Sequence, residues 1–314
     1  LQDAVFTITA ILPVFSLVAL GYGLKKIRFL TPDFVRHTSD FVFRVALPSL
    51  VFRKIAGLDL NQVFSLTEVI FVIAGILLFF LLVFVFVYSL SADGRQRGAI
   101  IQGAYRSNFA IIGLAVIGNL YGETGIGHGS LLLTFVMPLF NVLAVLALTI
   151  PRHTFAWESL APLGREIIRN PLILAMLFAL LFAFCEWQLP ALLGKPIDYL
   201  AATALPIALL GIGNTLEVRQ LLYSSFHAYL AAAMKVVLFP AIMMVAAIAL
   251  GFRGQTLGIL FILFGTPTAI ASFMMAEAMD SDARLTANII IISTIASIFT
   301  LAVGLLFLRH LGFV

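Results

Sequence analysis

Residues 102–122, QGAYRSNFAIIGLAVIGNLYG, and residues 263–280, LFGTPTAIASFMMAEAMD, are apolar over roughly the length of a membrane span, yet each is broken near its middle. The breaks are Arg106-Ser107-Asn108 in the first and Gly265-Thr266-Pro267-Thr268 in the second. Backbone N–H and C=O groups released from a helix find no water in hydrocarbon, so such a break persists only when buried in protein or lining a cavity. Both breaks are therefore read as walls of one site.

Composition sets the class around these stretches. The 314 residues are 62% hydrophobic and 11% charged, with a mean hydropathy of +1.11. Soluble domains carry about a quarter charged residues, so this is a polytopic, all-α membrane protein whose first partner is the lipid bilayer. The net charge of +4 and pI near 9.4 do not point to nucleic acid, because no Lys/Arg run exceeds Lys25-Lys26. The lone Cys185 lies in an apolar run and excludes a disulfide framework or a paired metal-ligand spacing. No metal and no cofactor is expected.

Ten spans are expected, at 4–24, 33–56, 66–90, 98–121, 127–150, 168–187, 190–215, 224–250, 255–279 and 284–308. The first is read as a true span and not a signal peptide, since its basic residues Lys25, Lys26 and Arg28 follow it and no small-residue cleavage site is evident. With the N-terminus outside, eleven loop Lys/Arg fall on the cytoplasmic side and five outside, which favours both termini outside.

The chain also repeats itself. A shift of 158 residues pairs Pro13 with Pro171, Pro32 with Pro190, Ala46-Leu47-Pro48 with Ala204-Leu205-Pro206, and Leu143-Ala144-Val145 with Leu301-Ala302-Val303. Three of the five first-half prolines find a partner although prolines number only 12, so the halves 1–156 and 157–314 read as one duplicated unit. An odd number of spans per unit turns the second copy upside down, and at this shift Asn108 meets Thr266 and Phe109 meets Pro267. Inverted repeats with interrupted helices in corresponding positions point to a secondary transporter with a midplane site.

Arg106-Ser107-Asn108-Phe109, Ile112-Gly113-Leu114 and Tyr121-Gly122 resemble the fourth helix of the auxin efflux carrier family. Pro138 with Asn141, Asn170-Pro171, Leu209-Leu210-Gly211-Ile212-Gly213, Pro267 and Ser293-Thr294 extend the resemblance over essentially the whole chain. The family lies within the bile-acid/auxin/arsenite transporter superfamily. The resemblance implies ten helices in a 5+5 inverted repeat of the sodium/bile-acid symporter kind, with crossed broken helices four and nine. Helices one, two, six and seven would be scaffold, and helices three to five and eight to ten a transport domain. It implies a small carboxylate substrate, auxin in the plant members and dicarboxylates such as malonate or malate in the bacterial ones. It also implies a multi-pass protein of the bacterial inner (plasma) membrane and leaves room for a homodimer through the scaffold helices. The short connection between the halves resembles the bacterial members and departs from the long hydrophilic loop of the plant carriers.

The substrate-site candidates are Arg106, Ser107, Asn108, Phe109, Gly265, Thr266, Pro267, Thr268, Ser272, Asn141 and Thr294. Arg106, roughly 12 Å into its span, either grips a carboxylate with its planar fork or snorkels to the surface. Asn108 both donates and accepts. Pro267 removes an N–H and kinks its span, while the hydroxyls near it could equally be satisfied within their own helices. Asn141 and Thr294 are explained by interhelical hydrogen bonds unless the resemblance applies. The coupling candidates are Lys235, which is intramembrane and without a nameable partner, Asp40, spaced to pair with Arg44, and Glu277, at a span end. His128 and His227 stand near span ends, where histidine is commonplace.

Three classes remain. The first is a carrier of small organic anions working by alternating access. The second is a sodium-coupled symporter of bile-acid type, which needs an oxygen-rich cation site where carboxylates are scarce. The third is a membrane sensor or enzyme, for which no catalytic motif such as H-E-x-x-H or G-x-S-x-G is present.

Overall fold

The computed structural model describes residues 2–58, 65–90, 93–152, 169–217 and 224–314. The expected boundary at 156/157 and the loop charges Arg165 and Arg219 lie outside them. The described residues are helical, and among them no strand forms beyond one isolated antiparallel bridge.

Helix α1 spans Gln2–Lys26 and ends on Lys25 and Lys26, cations that suit the negative end of a helix dipole. Helix α2, Pro32–Phe41, starts where the Thr31 hydroxyl accepts the Phe34 N–H, with Pro32 in the first turn. It runs through a widened π turn, Val42–Ala46, into α3, Leu47–Ala56. The same device recurs where α9, Phe226–Ala233, passes through a π turn, Met234–Leu238, into α10, Phe239–Ala249. Each π turn stands just ahead of a proline, Pro48 or Pro240, which has no N–H to give and whose ring crowds the preceding turn.

Between these lie α4, Leu66–Tyr88; α5, Gly94–Tyr105; a π turn, Phe109–Gly113; and α6, Leu114–Thr149. Gly122, at φ 62° and ψ −149°, divides α6 into two helices at a sharp kink, a conformation that favours glycine. After residues 153–168 come α7, Pro171–Phe184, and α8, Ala191–Thr215. The chain closes with α11, Gly254–Gly265; α12, Ala271–Ala278; and α13, Ala283–His310. Among the described residues six helical runs are long and apolar enough to cross a membrane, Phe109–Thr149 being the one divided at Gly122; Pro171–Phe184 and Gly254–Gly265 are shorter apolar helices. This is a multi-pass helical membrane protein.

Its outside is as greasy as its inside. Leu12, Leu78, Val85, Phe184, Leu192, Val245 and Phe299 are exposed large apolar side chains, which suits lipid and not water. The buried centre holds Tyr105, Phe109, Phe239 and Phe264, with Phe79 stacked on Phe239 at 4.1 Å between ring centres. Charged pairs gather at the helix ends. Lys25 holds Glu217 at 2.9 Å and the Leu216 carbonyl at 3.0 Å, while Arg95 holds Asp280 at 2.6 Å. Near other ends, Arg53 grips Asp198 through two hydrogen bonds of 2.5 and 3.1 Å, and Lys54 pairs with Glu123.

Two groups of helices pack closely. Helix α1 lies along α8, and α3 lies against α7 and α8, with Phe52 of α3 meeting Phe178 and Phe182 of α7. Helices α5, α9, α11, α12 and α13 surround the buried centre with α4. The α1–α8 contact brings backbone against backbone: a Cβ on Gly213 would collide with the Val18 carbonyl oxygen, and one on Gly21 with that of Leu210. Small residues are the usual means of such an approach in lipid. Gly213→Ala should therefore lower stability by about 1–3 kcal/mol as an overpacked contact, read as a fall in thermal midpoint in detergent. Gly23→Ala, with nothing within 4 Å of its Cβ, should leave the midpoint unchanged.

Candidate substrate site

The two broken stretches meet. Helix α5 ends at Tyr105 and α11 ends at Gly265, and the segments that follow pair as a short antiparallel bridge between Ser107 and Thr268. Asn108 N–H donates to the Pro267 carbonyl at 2.8 Å, and Ala269 N–H donates to the Arg106 carbonyl at 3.0 Å. The helical turns that resume at Phe109 and Ala271 have their N-terminal ends at this crossing, where the positive ends of helix dipoles favour negative charge.

Other released groups are met by side chains. The Thr268 hydroxyl donates to the Gly103 carbonyl at 2.6 Å, and the Thr268 N–H donates to the Ser293 hydroxyl at 3.1 Å. The Thr266 hydroxyl returns to the Leu263 carbonyl at 3.3 Å. The Lys235 ammonium donates to the Phe264 carbonyl at 2.6 Å, lies 5.4 Å from the centre of the Phe239 ring and is fully buried. It sits at the carbonyl end of α11, where a cation is favoured.

Arg106 does not snorkel. It is 5% exposed, and its Nη2 donates to the Asn141 Oδ1 at 2.8 Å while Nη1 points to the Met275 sulfur. With the Gln102 amide turned so that both its ends are satisfied, Oε1 accepts from Arg106 Nη1 at 3.2 Å and Nε2 donates to the Ser272 carbonyl at 3.2 Å. Arg106, Gln102, Asn141 and Met275 thus form one cluster beside the crossing.

Of the residues singled out in the sequence, Arg106, Ser107, Asn108, Phe109, Gly265, Thr266, Pro267, Thr268 and Ser272 are buried at or beside this crossing. The hydroxyls of Ser107 and Ser272 have no hydrogen-bond partner among the described residues. Thr294 turns away: its hydroxyl bonds to the Ile290 carbonyl of its own helix at 2.7 Å. Ser293, one place earlier, makes the contact. Asp40 is exposed, with Arg44 at 3.9 Å, and Glu277 is exposed near the end of α12. Gln102, Ser293 and Met275 carried no signal strong enough to single them out, since an amide, a hydroxyl and a thioether in apolar runs are ordinary.

A cavity of about 630 Å³ opens between α1, α3, α6 and α8, lined by Leu17, Arg53, Lys54, Asn119 and Asp198. It descends to Ala115, seven residues on from Asn108 and so roughly 10 Å along a helix from it.

The profile of the membrane transport protein family matches residues 6–152 and 149–305. The chain belongs to that family. It is a transporter and not an enzyme. An uncharacterized transporter of Methanothermobacter thermautotrophicus is 26% identical over 296 residues, 93% of this chain and 95% of that protein. A Rhizobium meliloti protein provisionally named a malonate transporter is 25% identical over 310 residues, 96% of this chain and 95% of its own length. Auxin efflux carrier component 1 of Arabidopsis thaliana is 34% identical over 119 residues, 36% of this chain and 19% of the carrier.

The crossing of this family member depends on Ser293 more than on its neighbour. Ser293→Ala leaves the buried Thr268 N–H unpaired and should cost about 1–3 kcal/mol. Thr294→Ala removes only a bond within its own helix and should cost clearly less, both read from thermal unfolding of the purified protein.

Proposed function

We propose that this protein is a secondary carrier of small organic anions, dicarboxylates of the malonate and malate kind before auxin-like carboxylates, working by alternating access. The observation that carries the reading is the backbone pairing of Ser107 with Thr268 beside the buried Arg106. Two interrupted helices crossing at such a point supply N-terminal helix ends and a guanidinium to a carboxylate, the arrangement used by midplane transport sites. The similarity to a protein named for malonate agrees with a small dianion.

In this reading the chain forms ten spans as two inverted halves, 1–156 and 157–314. The α1–α8 and α3–α7 contacts support a scaffold of the first, second, sixth and seventh spans, and the helices around the crossing a transport domain. The protein resides in the bacterial plasma membrane with both termini outside, supported by eleven cytoplasmic against five outer loop cations. In a Cys185→Ser background, labelling of a cysteine placed at Gln96 by an impermeant reagent from outside would reverse that orientation.

Asn108→Ala should remove one or two hydrogen bonds to a charged ligand at roughly 1.5–3 kcal/mol each, about ten- to a hundredfold in affinity. Arg106→Lys should weaken a carboxylate less than Arg106→Ala, and Pro267→Ala should slow exchange more than it weakens binding. Labelled malonate binding to purified variants measures this. Unchanged affinity in both Asn108→Ala and Arg106→Ala, with folding intact, places the site elsewhere.

The sodium-coupled alternative is disfavoured by Lys235, whose ammonium already occupies the carbonyl end of α11 at 2.6 Å from Phe264. Uptake into proteoliposomes should be the same in sodium and in choline, and Lys235→Ala should impair turnover while the protein still purifies folded. Uptake that collapses in choline would restore the sodium symporter.

A further inference from the structure

Ser65-Leu66-Thr67-Glu68 has the form of a capping box, in which the carboxylate turns back onto the cap. The Ser65 hydroxyl does accept the Glu68 N–H at 3.3 Å. The carboxylate, however, turns to α6, where its Oε2 lies 2.8 Å from His128 Nε2. Glu68 is 2% exposed and His128 7%. Glu68 Oε1 has no hydrogen-bond partner among the described residues. The sequence placed His128 among ordinary interface histidines; the structure buries it against the one buried carboxylate of the described residues.

Resting on the carrier reading above, we propose that Glu68 and His128 form a proton-binding site that couples anion transport to proton movement in the same direction. Without a shared proton the pair bears one negative charge, which is costly in a low-dielectric surrounding. With one proton the pair is neutral, whether as acid and imidazole or as carboxylate and imidazolium, so the two side chains share it. At one face the pair takes a proton from hydronium and leaves water; at the other it returns the proton to water. Only an O–H or N–H bond forms and breaks.

The placement fits coupling better than gating. Helix α6 continues the chain from the Asn108 break, and α4 packs on α5 and α6, so both partners ride with the crossing. The Lys54–Glu123 pair, by contrast, joins α3 to α6. The other ionisable groups on the elements at this end are Asp3 opening α1, Lys54 with Glu123, Arg53 with Asp198, Lys195 on α8, Tyr121 on α6, Arg253 before α11, and Arg309 and His310 closing α13. Helices α7, α10 and α11 carry none. On α5, Tyr105 lies at the crossing and Arg95 and Arg97 at the far end. Intramembrane Glu and His in such a setting mark proton relays in transporters.

The test uses full-length protein in liposomes with the membrane potential clamped. Wild type should accumulate labelled malonate when the outside is made acidic. Glu68→Gln, which preserves shape and hydrogen bonding, should lose this gradient-driven accumulation yet still exchange labelled for unlabelled malonate. His128→Gln should shift the pH midpoint of accumulation. Gradient-driven accumulation by Glu68→Gln equal to that of wild type overturns the proposal. A second readout needs no substrate: infrared difference spectra of purified protein across about pH 5–8 should show a change in the carboxyl or imidazole bands in wild type that Glu68→Gln lacks. Identical spectra overturn the proposal, whereas a wild type that carries no malonate overturns only the substrate reading and leaves the infrared result to decide on the pair.

Discussion

Every main-chain polar group freed from a helix inside a bilayer must find a partner within the protein, and here that requirement is met by bringing two breaks together. Asn108 and Pro267, and Ala269 and Arg106, satisfy one another across the crossing. Neither broken helix could be left alone in lipid, because each unmatched group would cost several kcal/mol. The surrounding helices are positioned by the same demand: α13 brings Ser293 to the Thr268 N–H, and the π turn between α9 and α10 carries Lys235 to the Phe264 carbonyl.

The second constraint is charge. Among the described residues two basic side chains, Lys235 and Arg106, lie buried near the crossing, and each meets oxygen dipoles. Lys235 faces the carbonyl end of α11, while Arg106 faces the amide oxygens of Asn141 and Gln102.

Much of this was legible in the sequence. Arg106-Ser107-Asn108 and Gly265-Thr266-Pro267-Thr268 announce their breaks, since polar residues and a proline midway along an apolar run cannot face lipid at low cost. The register of their meeting was less so. A shift of 158 residues sets Asn108 opposite Thr266, whereas the backbone pairs Asn108 with Pro267 and Ser107 with Thr268. Sequence alignment compares positions in two halves, while hydrogen bonding answers to the twist of two chains passing each other. Lys235 gave no partner because its partner is a main-chain carbonyl, which no residue type betrays. Glu68 was hidden by its local pattern, which a capping box accounts for completely until the tertiary fold offers His128.

The bond from Thr268 to the Gly103 carbonyl joins groups 165 residues apart, and that distance bears on biogenesis. At about 5–20 residues per second, the ribosome needs on the order of ten to thirty seconds between making one partner and the other. Throughout that interval the first break emerges from the translocon without its complement. The nascent protein must spend it shielded, in the insertion machinery or by transient contacts among its early helices, so membrane insertion of the first half and completion of its backbone pairing are separate events in time.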